Sequence, residues 1–392
     1  MSPKMKAFAV GTLLFMTQRG VMMFQLPTIV SLEYGTNGWI IIIFLFALVL
    51  LHLWGIHYGI KKHDYKSVLQ LISERLPKPI AFMLHTVAML IFVAATFTFI
   101  HTYVSTLQYT NDISVPINSM AVILLGVCVY TAWQGSYTIA KVSIVFFLLS
   151  FWTIGLEVLQ FSDFSTARLT PFFFHNANPT VQGFFQVFSA FFGFEILMIL
   201  APHLDKKTAW FRSTLIFNCI LGAYYLMYCL LVQGLLPINQ SSFVRLAVLR
   251  LYGSTQITIL SYITDLLFIF LMFSTAINTS IFIWCAAQML KQMQKVERKA
   301  ANYTLIGLLS TALILAPVSM TIKDSVKSMV VIADWVLMAT WILLYMFLPK
   351  QAKNKQSTTK QAELPITTVA CGLTPEQQNV QTYRNKEHPE VI

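Results

Sequence analysis

Charged side chains are scarce in this chain. They make up 11% of its 392 residues, where a water-soluble domain carries about 25%. Acidic residues are the scarcer sign, 16 against 27 Lys and Arg. Cysteine is scarce as well. The five (Cys128, Cys219, Cys229, Cys285 and Cys371) show no CxxC or Cys/His spacing, and four lie within apolar runs. That excludes a disulfide framework and a zinc site, and predicts small buried hydrophobes instead. There is no P-loop, no HExxH and no G-x-S-x-G, and none of the eight histidines has another at i, i+4. The chain therefore reads as no enzyme, with no cofactor and no metal.

What is abundant is apolar surface, 56% of the residues, with a mean hydropathy of +0.66. It comes in blocks. WIIIIFLFALVLLHLW (39–54) and VVIADWVLMATWILLYMFL (330–348) approach or match the roughly 18–20 residues that cross a bilayer. The first apolar stretch is too long for a signal peptide and has no small-residue cleavage site before its first loop. The chain reads as an all-α integral membrane protein.

Ten spans are predicted, at about 7–31, 38–60, 80–108, 116–134, 138–160, 182–202, 212–236, 257–289, 302–321 and 328–349. They form one transmembrane domain, 1–349, followed by a polar tail, 350–392, that lacks a helical stripe and is expected to be disordered. Stretches 65–76 and 242–252 look amphipathic, as an interfacial helix or a packed loop would. With the N-terminus inside, 15 Lys and Arg outside the tail fall on the cytoplasmic side and five on the other. The imbalance predicts that both termini are cytoplasmic. It also explains the net charge of +11 through membrane and lipid rather than nucleic acid.

Ten spans divide into two repeats of five, about 7–160 and 182–349, and start-to-start offsets between the halves are nearly constant. Five is odd, so the second repeat must run inverted relative to the first, as in secondary transporters. The first span of each repeat carries a glycine at mid-span and a proline after it: Gly20 and Pro27, then Gly193 and Pro202. Both residue types weaken a helix. Matched interruptions point to two broken helices around a midplane site, whose exposed backbone groups suit a small zwitterion.

Five ionisable residues fall in or at the edge of spans: Arg19, Glu157, Glu195, Asp265 and Asp334. A charge there costs about 2.5–3.5 kcal/mol on insertion scales, so each must face protein or water. Arg19 and Glu195 are the most central and stand beside the two interruptions, which makes them candidate partners. Glu195 has three readings: a structural partner for Arg19 or for backbone donors, a group that binds ligand or a coupling cation, or a protonatable switch. Asp265 and Glu157 read as interfacial, and Asp334 has no partner legible in the sequence. Phe188, Phe191 and Phe192 lie on the helical face of Glu195 and either wall a pocket or pack.

Three stretches together resemble one family. GVMMFQLP (20–27) leads into a GW that opens span two, with a basic turn and an amphipathic helix after it (37–81). FSAFFGFEILMILAPHLDKK (188–207) carries the small-x-x-G-x-E-then-Pro pattern. Span eight, with Asp265 near its outer end, fits more loosely. The chain resembles the spore germination permease family, the B subunits of nutrient germinant receptors of endospore-forming bacteria. The resemblance implies the fold of the amino acid–polyamine–organocation superfamily, a LeuT-like inverted repeat of ten helices with helices 1 and 6 interrupted. It implies a subunit of the spore inner membrane that binds a nutrient germinant, usually an amino acid, and works with a membrane A subunit and a lipoprotein C subunit. Carried across by position, the pocket takes in the break at Gly20 and the break at Gly193, Phe194 and Glu195; their neighbours Gln18, Arg19, Phe188 and Phe192 complete the candidate ligand-binding residues. Pro27, Pro202, Asp265 and Asp334 would serve structure or coupling. The chain departs from the family at Gln18-Arg19, where small or apolar residues are usual, and in YITDLLFIFLMF (262–273), which keeps only the acidic residue of span eight. A proton- or cation-coupled amino-acid permease is the alternative function.

Overall fold

The computed structural model describes residues 4–20, 22–111, 115–158, 164–170, 174–237, 263–294, 298–317 and 320–349. Side chains of 110–111, 156–158, 263–265 and 320–324 are outside that description. So are the tail 350–392, the stretch 242–252, and the Glu157 and Asp265 side chains.

Among the described residues there are fourteen α-helices and no strand. They are α1 (Ala7–Gln18), α2 (Met22–Tyr34), α3 (Trp39–Lys62), α4 (Val68–Arg75), α5 (Lys78–Asn111), α6 (Ile117–Gln134) and α7 (Ser136–Phe151). Then come α8 (Thr153–Val158), α9 (Val181–Ser189), α10 (Ile196–Leu200), α11 (Trp210–Leu235), α12 (Ile263–Met293), α13 (Lys299–Leu315) and α14 (Met320–Phe347).

Among the described residues, seven helices are long and apolar enough to cross a membrane, and the bent pair α1 and α2, taken as one span, makes an eighth. The remaining two predicted spans are α13, with 17 residues, and the broken segment of α9 and α10. Ile43, Phe44, Leu51, Trp54 and Tyr58 of α3 are exposed. In water such a face would be an aggregation hazard. In a bilayer it is the lipid contact, and the helix satisfies its backbone internally. The protein is an integral membrane protein.

The 65–76 stretch forms α4. Its start is fixed by a capping box, in which the Ser67 hydroxyl accepts from Gln70 N–H at 3.2 Å and Gln70 Oε1 accepts from Ser67 N–H at 3.1 Å. Between α6 and α7 the chain turns at Gly135, whose φ of +99° suits glycine.

Spans one and six run in opposite directions side by side. Met5 N–H donates to His203 O at 2.8 Å and Asp205 N–H to Met5 O at 3.0 Å, so the start of span one meets the end of span six. At the other end, Asn178 N–H donates to Glu33 O at 3.0 Å. The Glu33 carboxylate takes the Thr180 N–H and hydroxyl at 2.7 and 2.8 Å. This is the inverted relation that an odd number of helices per repeat requires. Around this pair, α1 packs on α11, α7 and α12, while α9 packs on α2 and α14. Helix α12 lies along α5.

Candidate functional site

Span one breaks where the sequence places Gly20. Helix α1 stops at Gln18, α2 starts at Met22, and their axes differ by 56°. Pro27 is not the break: it rides inside α2. Span six breaks over residues 190–195, between the end of α9 and the start of α10. Gly193 lies there with φ +119°, a conformation that side chains disfavour. Its backbone also presses on the other break, since a Cβ on Gly193 would stand 2.7 Å from Thr17 Cγ2. Pro202 lies beyond, in the 3₁₀ turn Ala201–His203 that ends span six.

A broken helix leaves carbonyls without their usual donors, and in hydrocarbon each must find another. Here the two breaks satisfy one another. Gln18 Nε2 donates to Phe191 O at 2.6 Å. The Tyr225 hydroxyl of α11 lies 2.8 Å from Gln18 O and 2.9 Å from Ala190 O, so its single proton serves one carbonyl from each break. The Glu195 carboxylate turns back on its own break and accepts from Gly193 N–H at 2.8 Å.

Arg19 faces away from Glu195, and no ion pair joins them. Arg19 Nη2 donates to Thr153 Oγ1 at 2.9 Å and to Tyr224 Oη at 3.4 Å, and Nη1 reaches Ser150 O at 3.5 Å. The guanidinium also stands 5.4 Å from the Tyr224 ring centroid. This arrangement fastens the break of span one to α7, α8 and α11.

Beside the breaks is a cavity of about 1060 Å³. Gln18, Gly20 and Phe192 line it, joined by Thr98 and Thr102 of α5 and Asn278 of α12. Asp334 of α14 also opens onto it. Arg19, Phe188, Gly193, Phe194 and Glu195 are not on its wall. Phe188 and Phe194 flank His52 of α3, with ring centroids 6.1 and 6.0 Å away, and Phe191 packs edge-on against Tyr225 at 5.2 Å. Gly193 and Glu195 shape the site from behind.

Several buried oxygens here have no hydrogen-bond partner: Gln18 Oε1, Asn278 Oδ1, Glu195 Oε1 and Asp334 Oδ1. Because the Gln18 amide nitrogen is held by Phe191 O, the atom left over is an acceptor. Tyr225, the threonines of α5 and Asn278 drew no attention in the sequence. Their only signal was polar residues at helical spacing in apolar spans, Thr98 with Thr102 and Thr275 with Asn278.

Two solved structures share this architecture. One is a Na+-coupled sialic acid symporter in a substrate-bound outward-open state, with TM-score 0.61 and 15% identity, over 88% of this chain and 79% of that one. The other is MhsT in complex with L-phenylalanine, with TM-score 0.64 and 13% identity, over 88% of this chain and 90% of that one. At such identities the likeness shows the fold, the LeuT-like inverted repeat. No curated protein matches the chain. Residues 4–326 match the family described as spore germination protein. The chain belongs to the spore germination permease family.

Proposed function

We propose that the protein is the membrane subunit of a spore nutrient receptor, which binds a small nutrient, an amino acid first of all, beside the two broken helices. The observation that carries this reading is the cavity itself. It touches both breaks, and it is walled by hydroxyl and amide side chains in a protein that is otherwise apolar. Pockets for small polar ligands have this make-up, a few placed polar groups on an apolar frame. Gln18, Gly20 and Phe192 contact the ligand, while Gly193 and Glu195 hold the shape of the break. The half-helix start of α2 supplies partial positive charge for a carboxylate.

Binding becomes a signal when the ligand prefers one arrangement of the half-helices to another. Partner A and C subunits read that shift in the spore inner membrane, with both termini of this chain on the inner side. The protein acts as a binding protein and not as an enzyme. Coupled transport is the second reading, favoured by the symporter among the structures that share the fold.

The two are separated by measuring binding and uptake of a panel of labelled L-amino acids in sealed vesicles, with and without proton and sodium gradients. The receptor reading expects saturable binding with no accumulation. Gradient-driven accumulation would establish the permease instead, and absence of saturable binding to any amino acid would overturn the nutrient assignment.

A further inference from the structure

The two carboxyls at this site have no obvious reason to be there together. Asp334 is 4% exposed and Glu195 1% exposed. They stand on different helices and are close enough to interact electrostatically. Glu195 has one oxygen engaged by Gly193 N–H and the other unpartnered. Among the described residues Asp334 has no hydrogen-bond or ion-pair partner, and its Oδ1 is buried. Cys285 of α12 is the other titratable group that Glu195 acts on, and it brings no positive charge.

Two ionised carboxylates in a low-dielectric interior repel one another and lose hydration, a cost relieved either by a proton on one of them or by a cation bound beside them. Among the described residues, neither Arg19 nor Lys327 forms an ion pair with either carboxyl. Arg19 extends toward Thr153 and Tyr224. Lys327 is on the cavity wall, but seven residues before Asp334 on α14, which is about 10 Å along the helix. The cavity wall holds two further unpartnered acceptors, Gln18 Oε1 and Asn278 Oδ1. Their residues are 4% and 6% exposed, and both line the wall that Asp334 opens onto. Buried acceptors left without donors suit a cation, whether an ammonium that donates to them or an alkali ion that they coordinate.

We propose that Asp334, backed by Glu195 and joined by the side-chain oxygens of Gln18 and Asn278, forms a binding site for a monovalent cation in the cavity floor. The charge comes either from the ammonium group of the nutrient or from an alkali ion bound beside it. This rests on the nutrient-binding reading for its biological sense, but not for its test. It assigns the ligand's positive end to Asp334 and Asn278, on α14 and α12, and leaves the start of α2 to a carboxylate, so a ligand that meets both carries both charges.

The experiment is thermal melting of the purified full-length protein in detergent, at constant ionic strength. Choline chloride is replaced in turn by propylammonium chloride, sodium chloride and potassium chloride, with choline propionate as the anion control. The expected result is a rise in Tm of about 3 °C or more with at least one small cation, over and above any shift that propionate produces. That rise disappears in Asp334→Asn, shrinks in Glu195→Gln and Asn278→Ala, and persists in Glu74→Gln, a surface control. A response to propylammonium alone assigns the charge to the nutrient's ammonium, and a response to sodium or potassium alone assigns it to a free ion. No shift with any cation overturns the proposal, and that arm needs only the parent protein. A shift that survives both Asp334→Asn and Glu195→Gln overturns it too. Labelled amino-acid binding on the same samples separates the two readings. If Asp334→Asn binds amino acids as the parent does and no cation shift is seen, the nutrient site stands and the cation site falls. If the parent responds to cations but binds no amino acid, the reverse holds.

Discussion

Gly193→Leu is expected to abolish amino-acid binding while the protein still inserts and folds. Two independent costs fall on this position. A side chain at φ +119° is strained, by about 1–2 kcal/mol for a left-handed conformation. The added Cβ also meets Thr17 Cγ2 at 2.7 Å, and overpacking of this kind costs about 1–3 kcal/mol. The least costly relief is to part the two breaks. That separates Gln18 Nε2 from Phe191 O and withdraws Gly193 N–H from Glu195. A loss of at least about tenfold in affinity follows, since each 1.4 kcal/mol is a factor of ten. Gly126→Leu is the control, because nothing stands within 4 Å of a Cβ there. Unchanged binding in Gly193→Leu would mean that the break in span six does not shape the site.

Arg19→Met is expected to cost stability more than affinity. The guanidinium bonds Thr153, Tyr224 and the Ser150 carbonyl, and a hydrogen bond to a charged group contributes about 1.5–3 kcal/mol. Transmembrane hydrogen bonds fall toward the lower end of such ranges. Unfolding of the detergent-solubilised protein should show a loss of about 2–4 kcal/mol, with amino-acid affinity changed by less than about threefold well below the melting point. Arg19→Lys should recover less than half of the loss, because an ammonium cannot reproduce a planar fork that reaches several acceptors. The opposite pattern, intact stability and lost binding, would make Arg19 a ligand group after all.

The sequence marked the breaks because Gly and Pro punctuate any helix, whatever surrounds it. Gly20 and Gly193 both fall inside the interruptions. The prolines were less informative. Pro27 costs α2 one backbone bond and the helix continues through it, and Pro202 closes span six without breaking it at mid-membrane. The direction of Arg19 was not legible. Its neighbour Gln18 lines the cavity while Arg19 points at α7, and a break in the chain removes the regular turn by which one residue predicts the next. The far wall of the cavity was hidden for another reason. Thr98 and Thr275 each bond their own helix, to Ala94 O and Leu271 O at 3.0 Å. A threonine in an apolar span looks the same whether or not its other side meets a cavity. Asp334 stood out as a charge in a span, but only the folded chain brings it near enough to feel the charge of Glu195, 139 positions away in the sequence.

The claim that the nutrient sits beside the two breaks is tested most directly by chemical protection. Ser189 lines the cavity, and Cys128, Cys229 and Cys285 are buried. With Cys219 and Cys371 replaced by serine, Ser189→Cys becomes the reactive thiol. A water-soluble maleimide should label Ser189→Cys in membranes, and a saturating amino acid that binds the parent should slow the labelling by about tenfold or more, in step with its occupancy. Labelling at the same rate with and without bound amino acid would contradict the account and place the nutrient elsewhere on the protein.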